Sequence, residues 1–206
     1  VAQFSRWQET SEPQQRLAID PKIELLRDQL CADNSWLQAA LESDEYWYQH
    51  EFSIAHDPTG LRCEKNLFRY RALPQSLIIA NDSLPQTLRM IAASVRAGVP
   101  KTTVAVRSLE PWTQVVSRCP GVHVIKCDDN ELLAQLAKMP PHGVIRCTSA
   151  SDDLFRAAHQ QRWRIVSRLA LANGRHELLP FLREQSLSAT AHRYGNVLPI
   201  DHLLQS

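Results

Sequence analysis

A chain of 206 residues can bury roughly 70% of the surface its unfolded form exposes, which supports one sizeable core and argues against two full domains. The hydrophobic share of 44% and charged share of 22% are those of an ordinary soluble globular protein, and a formal net charge of +1 supplies no basic field for nucleic acid. No run of about 18 apolar residues is available to span a membrane, and the polar stretch Val1–Asp20 has no secretory apolar segment.

The opening Val1 reads as the product of processing or of a cut from something longer. Residues 1–20 form a polar leader with Phe4, Trp7 and Leu17 as its few anchors. From Pro21 to Phe52 the spacing predicts helix: Ile23, Leu26 and Leu30, then Leu37, Ala40 and Leu41, recur at three- and four-residue steps. Asp20 and Pro21 suit a helix start, and Asp33, Asn34 and Ser35 divide the stretch in two. His56-Asp-Pro-Thr-Gly60 is a turn by composition, and Asn66-Leu-Phe-Arg-Tyr-Arg71 is an extended segment.

From Gln75 the rhythm changes. Short apolar runs at 76–80, 102–106, 122–127, 143–147 and 164–169 are separated by gaps that each hold one helix. In the first gap Ser83 offers a cap oxygen, Leu84, Leu88, Ile91, Ala92 and Val95 share a face, and Gly98 closes the helix. The second carries Trp112, Val115, Val116 and Cys119, and the third carries Leu132, Leu133 and Leu136 behind Asp128 and Asp129. In the fourth, Ser151 caps a helix presenting Leu154, Phe155 and Ala158. Alternation at this spacing implies an α/β, Rossmann-like, doubly wound and mostly parallel sheet. Beyond Gly174, a short helical turn over 175–182 precedes Gln185–Ala191, where Leu187, Ala189 and Ala191 alternate with Ser186, Ser188 and Thr190 as in a half-exposed strand. The expected divisions are a helical leader (1–55), an extended flap (56–74), the Rossmann-like domain (75–174) and a flap strand with docking tail (175–206).

Chemistry is harder to find. A dinucleotide pyrophosphate needs glycines at the first strand–helix turn, whereas this chain has Ala80-Asn-Asp-Ser-Leu-Pro85, with Asp82 to repel phosphate and Pro85 lacking an amide. Cys119, His123 and Cys127 suggest a metal, but a strand would hold His123 and Cys127 about 13 Å apart at roughly 3.3 Å per residue. The odd count of five cysteines does not form a disulfide framework, so reduced thiols in the cytoplasm are expected. No Gly-x-Ser-x-Gly elbow is present; Ser151-Asp-Asp153 reads as a helix cap and Cys147 as a structural thiol. Tyr46, Trp47 and Tyr48 read as packing or a subunit contact. The tail is different: His192, Arg193, Tyr194 and Asn196 gather donors, a cation and a ring around Gly195, as either a solvated end or a docking segment.

Two blocks carry a family resemblance. Leu182-Arg-Glu-Gln-Ser-Leu-Ser-Ala-Thr-Ala-His-Arg-Tyr-Gly-Asn196 resembles the terminal motif of Δ1-pyrroline-5-carboxylate dehydrogenases and bifunctional proline utilization A proteins. His56-Asp-Pro-Thr-Gly-Leu-Arg-Cys-Glu-Lys-Asn-Leu-Phe-Arg-Tyr-Arg71 is similar to the segment leading into the Rossmann-like part of their C-terminal aldehyde-dehydrogenase-like domain, and Leu88–Val99 is similar too. The likeness covers about residues 50 to 200. It implies a parent enzyme that oxidises L-glutamate γ-semialdehyde to glutamate with NAD, in some relatives alongside a flavin-dependent (FAD) proline dehydrogenase. No Gly-Gln-x-Cys segment, general-base Glu motif or glycine-bearing cofactor turn is found, so no catalytic, cofactor or metal residue carries over. The resemblance therefore implies a silent domain that covers an internal cavity, with Ser186, Leu187, Ser188, His192, Arg193, Tyr194, Gly195 and Asn196 as contacts. Its partner would be a catalytic dehydrogenase domain of the same polypeptide or of a second subunit, with a homodimer as a further arrangement. The rival expectation is a stand-alone Rossmann-like protein binding a nucleotide or another small molecule at its sheet edge.

Overall fold

The computed structural model describes residues 35–61, 64–80, 83–110, 112–113 and 119–190, with the backbone of 192–193 and 196–197. The expected helix over 21–32, Val115, Val116, Asn81, Asp82, Cys31, Cys63, Tyr194 and Gly195 lie outside these residues. In chain order the elements are α1 (Ser35–Trp47, continued by a π-helical turn, Tyr48–Phe52), β1 (Glu64–Ala72), β2 (Ser76–Ile79), α2 (Leu84–Arg96), β3 (Thr102–Val106) and β4 (Val122–Lys126). There follow α3 (Asp129–Leu136), β5 (Val144–Cys147), α4 (Asp152–Gln160), β6 (Arg164–Ser167) and α5 (Gly174–Leu178, continued by a 3-10 turn, Leu179–Phe181). β7 (Leu182–Thr190), β8 (His192–Arg193) and β9 (Asn196–Val197) end the described chain.

Five strands form one parallel sheet in the order β4-β3-β2-β5-β6, with a topological switch between β2 and β5. Helices cover both faces, as the sequence rhythm implies for a doubly wound fold. The strand period of two divides the core. Ile78, Val104 and Val106 pack with α1 and α2 on one face, while Leu77, Ala105, Ile145 and Cys147 pack with α3 and α4 on the other. A third cluster joins Phe52, Ala93, Ala97, Val144, Leu178, Phe181 and Leu182 at the amino edge.

Local chemistry explains most boundaries. Asp128 and Glu131 form a reciprocal capping box at α3, and Ser151 Oγ accepts from Leu154 N at α4. Gly98, at φ +82°, follows the end of α2. Two expectations need correction. Ser83 occupies the N-cap of α2, but its side chain makes no capping bond there. Phe155 does not face the core: it is exposed, because Leu154 and Ala158, four residues apart, set the inward face of α4 and leave the next position turned away.

Buried polar groups are matched throughout the described residues. Ser76, Ser94 and Thr102 close a triangle of buried hydroxyl bonds that fixes α2 over the starts of β2 and β3. Where α5 crosses α1, a Cβ added at Gly174 would meet the Asp44 N and Cα at 2.6 Å, so only glycine lets the two backbones approach so closely.

Candidate functional site

The flap segments find each other across the chain. β1 pairs with β7 over nine antiparallel positions, from Glu64 opposite Thr190 to Ala72 opposite Leu182. Paired residues share a face. Leu67, Arg69 and Arg71 therefore lie on one side with Leu187, Gln185 and Arg183, and Asn66, Phe68 and Tyr70 lie on the other with Ser188, Ser186 and Glu184.

An isolated two-stranded ribbon is marginal in water, so its base must be held. Phe52 and Tyr70 meet edge to face at 5.0 Å, and Tyr70 meets Phe68 at 5.2 Å, an aromatic chain running from the end of α1 into the ribbon. Leu73 N donates to Phe181 O at 2.9 Å, and Arg164 Nη2 donates to the Pro180 and Leu182 carbonyls. Burial, with Glu51 and Glu184 nearby, pushes the Tyr70 phenol up, so it stays a neutral packing group. Farther out, Arg69 Nε donates to Gln185 Oε1 at 2.8 Å, Ser188 Oγ to Asn66 Oδ1, and Asn66 Nδ2 to Thr59 Oγ1. The turn below is tied by Asp57 Oδ1, which accepts from the Thr59 and Gly60 amides; those bonds hold the Asp57 carboxyl below the usual range.

The candidate contacts thus fall on two neighbouring pieces. Ser186 and Ser188 project from one face of β7 and are exposed, while the half-buried Leu187 sits on the other, opposite Leu67. His192 and Arg193 pair through their backbones with Val197 and Asn196, folding the chain back on itself just past the ribbon. Tyr194 and Gly195 lie outside the described residues.

The carboxyl edge of the parallel sheet is the other place where such folds act. In α2, Pro85 stands within the first turn, leaving one amide fewer for an anion. The described residues of this turn, Ala80, Ser83, Leu84 and Pro85, give none of the glycine cradle a pyrophosphate needs. Beside it, the fully buried Arg146 of β5 clamps the ends of the strands. Its Nε donates to Glu177 Oε1 at 2.7 Å, its Nη1 to the carbonyls of Cys147 and Arg168, and its Nη2 to Leu169 O. Glu177 also accepts from Arg168 Nη1 and Leu171 N. The loop 168–173 is therefore held across the edge, and Gln86 and Arg89 of α2 hold it from the far side through Ala170 N and Leu171 O.

Further ion pairs bind α1 to α2: Asp44 to Arg89, bidentate at 2.6 and 2.7 Å, and Glu45 to Arg96. Burial pushes the Asp44 carboxyl up to about 6 despite the pull of Arg89, with Glu177 acting in the same direction as burial. Aromatic faces shelter two cations, Arg96 over Tyr48 at 3.6 Å and Arg175 over Trp47 at 5.4 Å, and Tyr46 stacks on His50. The aromatic cluster is spent on packing.

These buried charges escape a reading by pattern. The available signal was Arg146 itself, a cation in the middle of an otherwise apolar run. Cys147 is buried and its thiol is pushed up by burial, which disfavours the reactive thiolate. Cys119 and Cys127 belong to opposite faces of the sheet and His123 is exposed, so the three do not converge. Among the described residues no group of three or more His, Cys, Asp or Glu is placed to hold a metal. No described helix is long and apolar enough to cross a membrane.

No family model matches the chain, and no curated protein matches it. Solved structures do. Proline Utilization A (PutA) from Corynebacterium freiburgense superposes with a TM-score of 0.62 at 28% identity, over 92% of this chain and 16% of that one. A mutant of Bradyrhizobium japonicum PutA gives 0.55 at 12% identity, over 70% of this chain and 17% of that one. The substrate-bound state of Staphylococcus aureus AldH gives 0.50 at 12% identity, over 70% and 36%. The chain therefore has a PutA/aldehyde-dehydrogenase-like fold, and it spans only a small part of the chains it resembles.

Proposed function

We propose that this chain is the non-catalytic C-terminal domain of a proline-catabolic enzyme, serving as a structural lid over the cavity through which a reactive aldehyde passes. The parent enzyme would oxidise L-glutamate γ-semialdehyde, formed from Δ1-pyrroline-5-carboxylate, to glutamate with NAD in the cytoplasm, with FAD as a second cofactor where a proline dehydrogenase is fused to it. The observation that carries this reading is the likeness to Corynebacterium freiburgense PutA, over nearly the whole of this chain but 16% of that one.

The geometry supports a role without chemistry. The Cys147 thiol is buried, the described residues of the sheet's opening turn include no glycine for a phosphate cradle, and the Arg146 clamp ties the loop 168–173 to the carboxyl edge. What stands out from the domain is the ribbon of β1 and β7, rigid at its base and presenting exposed hydroxyls and a Leu67–Leu187 pair to a neighbour. Ser186, Leu187, Ser188, His192, Arg193, Tyr194, Gly195 and Asn196 are the residues that dock on the catalytic domain, of the same polypeptide or of a second subunit. NAD and FAD belong to that partner and not to this chain. A lid of this kind keeps water out and retains the aldehyde without touching the reacting atoms.

The test is deletion of residues 185–206 from the full-length enzyme. Coupled turnover of proline to glutamate should fall and free aldehyde should escape into solution, while oxidation of added aldehyde persists. Unchanged coupled turnover would count against the lid.

A further inference from the structure

Arg71 and Arg183 stand directly opposite each other at the root of the β1–β7 ribbon, and both are exposed. Like charges in cross-strand register destabilise a ribbon. The face they share also carries Lys65 and Arg69 and no carboxylate, because Glu64 and Glu184 fall on the other face.

The parallel sheet continues this field. Its amino-edge turns, at the end from which the ribbon leaves, are 72–75, 97–101, 119–121, 137–143 and 161–164. None holds an aspartate or glutamate, whereas Lys101, Lys138, His142 and Arg162 are exposed in them. Asp128, Asp129, Glu131, Asp152 and Asp153 all stand at the opposite, carboxyl edge, where α3 and α4 begin. The helix dipole accounts for Lys138 and Arg162, which lie just past the ends of α3 and α4. It does not account for Arg71 and Arg183, which lie on strands. That pair calls for an anion from outside.

The surface is built in advance. Pro74, Pro100, Pro120, Pro140 and Pro141 are exposed in these turns and fix φ there. Trp163 Nε1 donates to Pro140 O at 2.9 Å, Gln75 Nε2 donates to the same carbonyl, and Thr102 N donates to Gly121 O at 2.8 Å, so neighbouring turns hold one another. A surface with little freedom to lose is ordered at small entropic cost on binding.

We infer that the amino edge of the sheet, together with the Arg71–Arg183 pair, is a docking surface for a carboxylate-rich face of a partner protein. A carboxylate set between the two guanidinium groups turns a repulsive pair into a clamp, and the cations around it fix register and orientation. In naming the catalytic domain as the bearer of that face, the inference rests on the lid reading. The acidic carboxyl edge of a second copy matches in sign, but that contact runs head to tail and does not close.

Lysine acetylation by a small N-hydroxysuccinimide ester, read by mass spectrometry on the 206-residue chain and on the full-length enzyme, tests it. Lys101 and Lys138 should react several-fold more slowly in the full-length enzyme, while Lys126, at the carboxyl end of β4, reacts alike in both. Equal rates for Lys101 and Lys138 in the two forms would overturn the inference. An Arg71→Glu/Arg162→Glu variant of the full-length enzyme should return both lysines to the rates of the isolated chain. Salt at about 0.5 M should do the same in the unaltered enzyme, which keeps the test decisive if the variant loses its fold. Protection that survives salt and variant alike would overturn the assignment to carboxylates. Lys65 reports the lid separately: its protection without that of Lys101 and Lys138 sinks this inference and leaves the lid, and the reverse pattern sinks the lid alone. Sedimentation covers the second copy, since concentration-dependent chains dispersed by the same variant would assign the edge to self-association and overturn the partner named.

Discussion

Arg146 and Asp44 are both buried and both paired, yet they bear on stability in opposite senses. The guanidinium of Arg146 donates to Glu177 and to several strand-end carbonyls, so its replacement leaves the buried Glu177 Oε1 without its cation and loosens the loop 168–173 together. Breaking a buried pair by removing one partner costs about 3–5 kcal/mol. An Arg146→Met variant should show a loss of that order in urea unfolding. Asp44 holds a proton more readily when folded, near 6 against an ordinary 3.8. Between those values the folded chain is protonated where the unfolded chain is not, so acidification favours the fold, and this contribution is lost as pH rises through about 6. Relative to Asp44→Asn, the native chain should gain about 2 kcal/mol between pH 7 and pH 4, at about 1.4 kcal/mol per pH unit across the interval. Urea midpoints at the two pH values measure it, and a constant difference would show that the carboxyl is not raised. Arg146 shows in the sequence as a cation within an apolar run, whereas Asp44 does not stand out. Glu42, Asp44 and Glu45 sit close together on one helix, and only the packing of α2 and α5 decides which are buried.

At the scale of elements, the strands of the parallel sheet were legible because each is a short apolar run between cap and turn residues. Thr102–Val106 is found with the expected bounds, and the other four end one or two residues earlier or begin one later. The half-exposed strand over 185–191 was legible from its period of two. Its partner was not, since Leu187 and Leu67 stand 120 positions apart and nothing local in either segment specifies the pairing. The joint between α1 and α5 was equally hidden. Gly174 was expected ahead of the helical turn over 175–182, yet it is the first residue of α5, and its missing Cβ is what allows contact with Ser43 and Asp44. Gly174→Ala should destabilise the chain by about 2–3 kcal/mol, because backbone atoms at 2.6 Å cannot yield as a side chain would. Thermal unfolding checks this, and a variant as stable as the parent would mean that the crossing is looser than described.

For the molecule as a whole, alternating strands and helices made the doubly wound architecture legible, whereas that alternation says nothing of the use to which it is put. A sheet edge in this architecture ordinarily offers a glycine-lined turn and an open crevice. Here the turn contains Pro85, and the loop 168–173 is tied down by Arg146, Glu177, Gln86 and Arg89. The ribbon of β1 and β7 instead projects from the opposite, amino edge, anchored through Phe52, Tyr70 and Phe181. On the proposed reading, this fold serves as architecture for a dehydrogenase and not as its catalytic part. Titration of the isolated 206-residue chain with NAD and NADH in a calorimeter tests that claim most directly. The account predicts no binding heat beyond dilution, and a saturable isotherm with a micromolar Kd would contradict it.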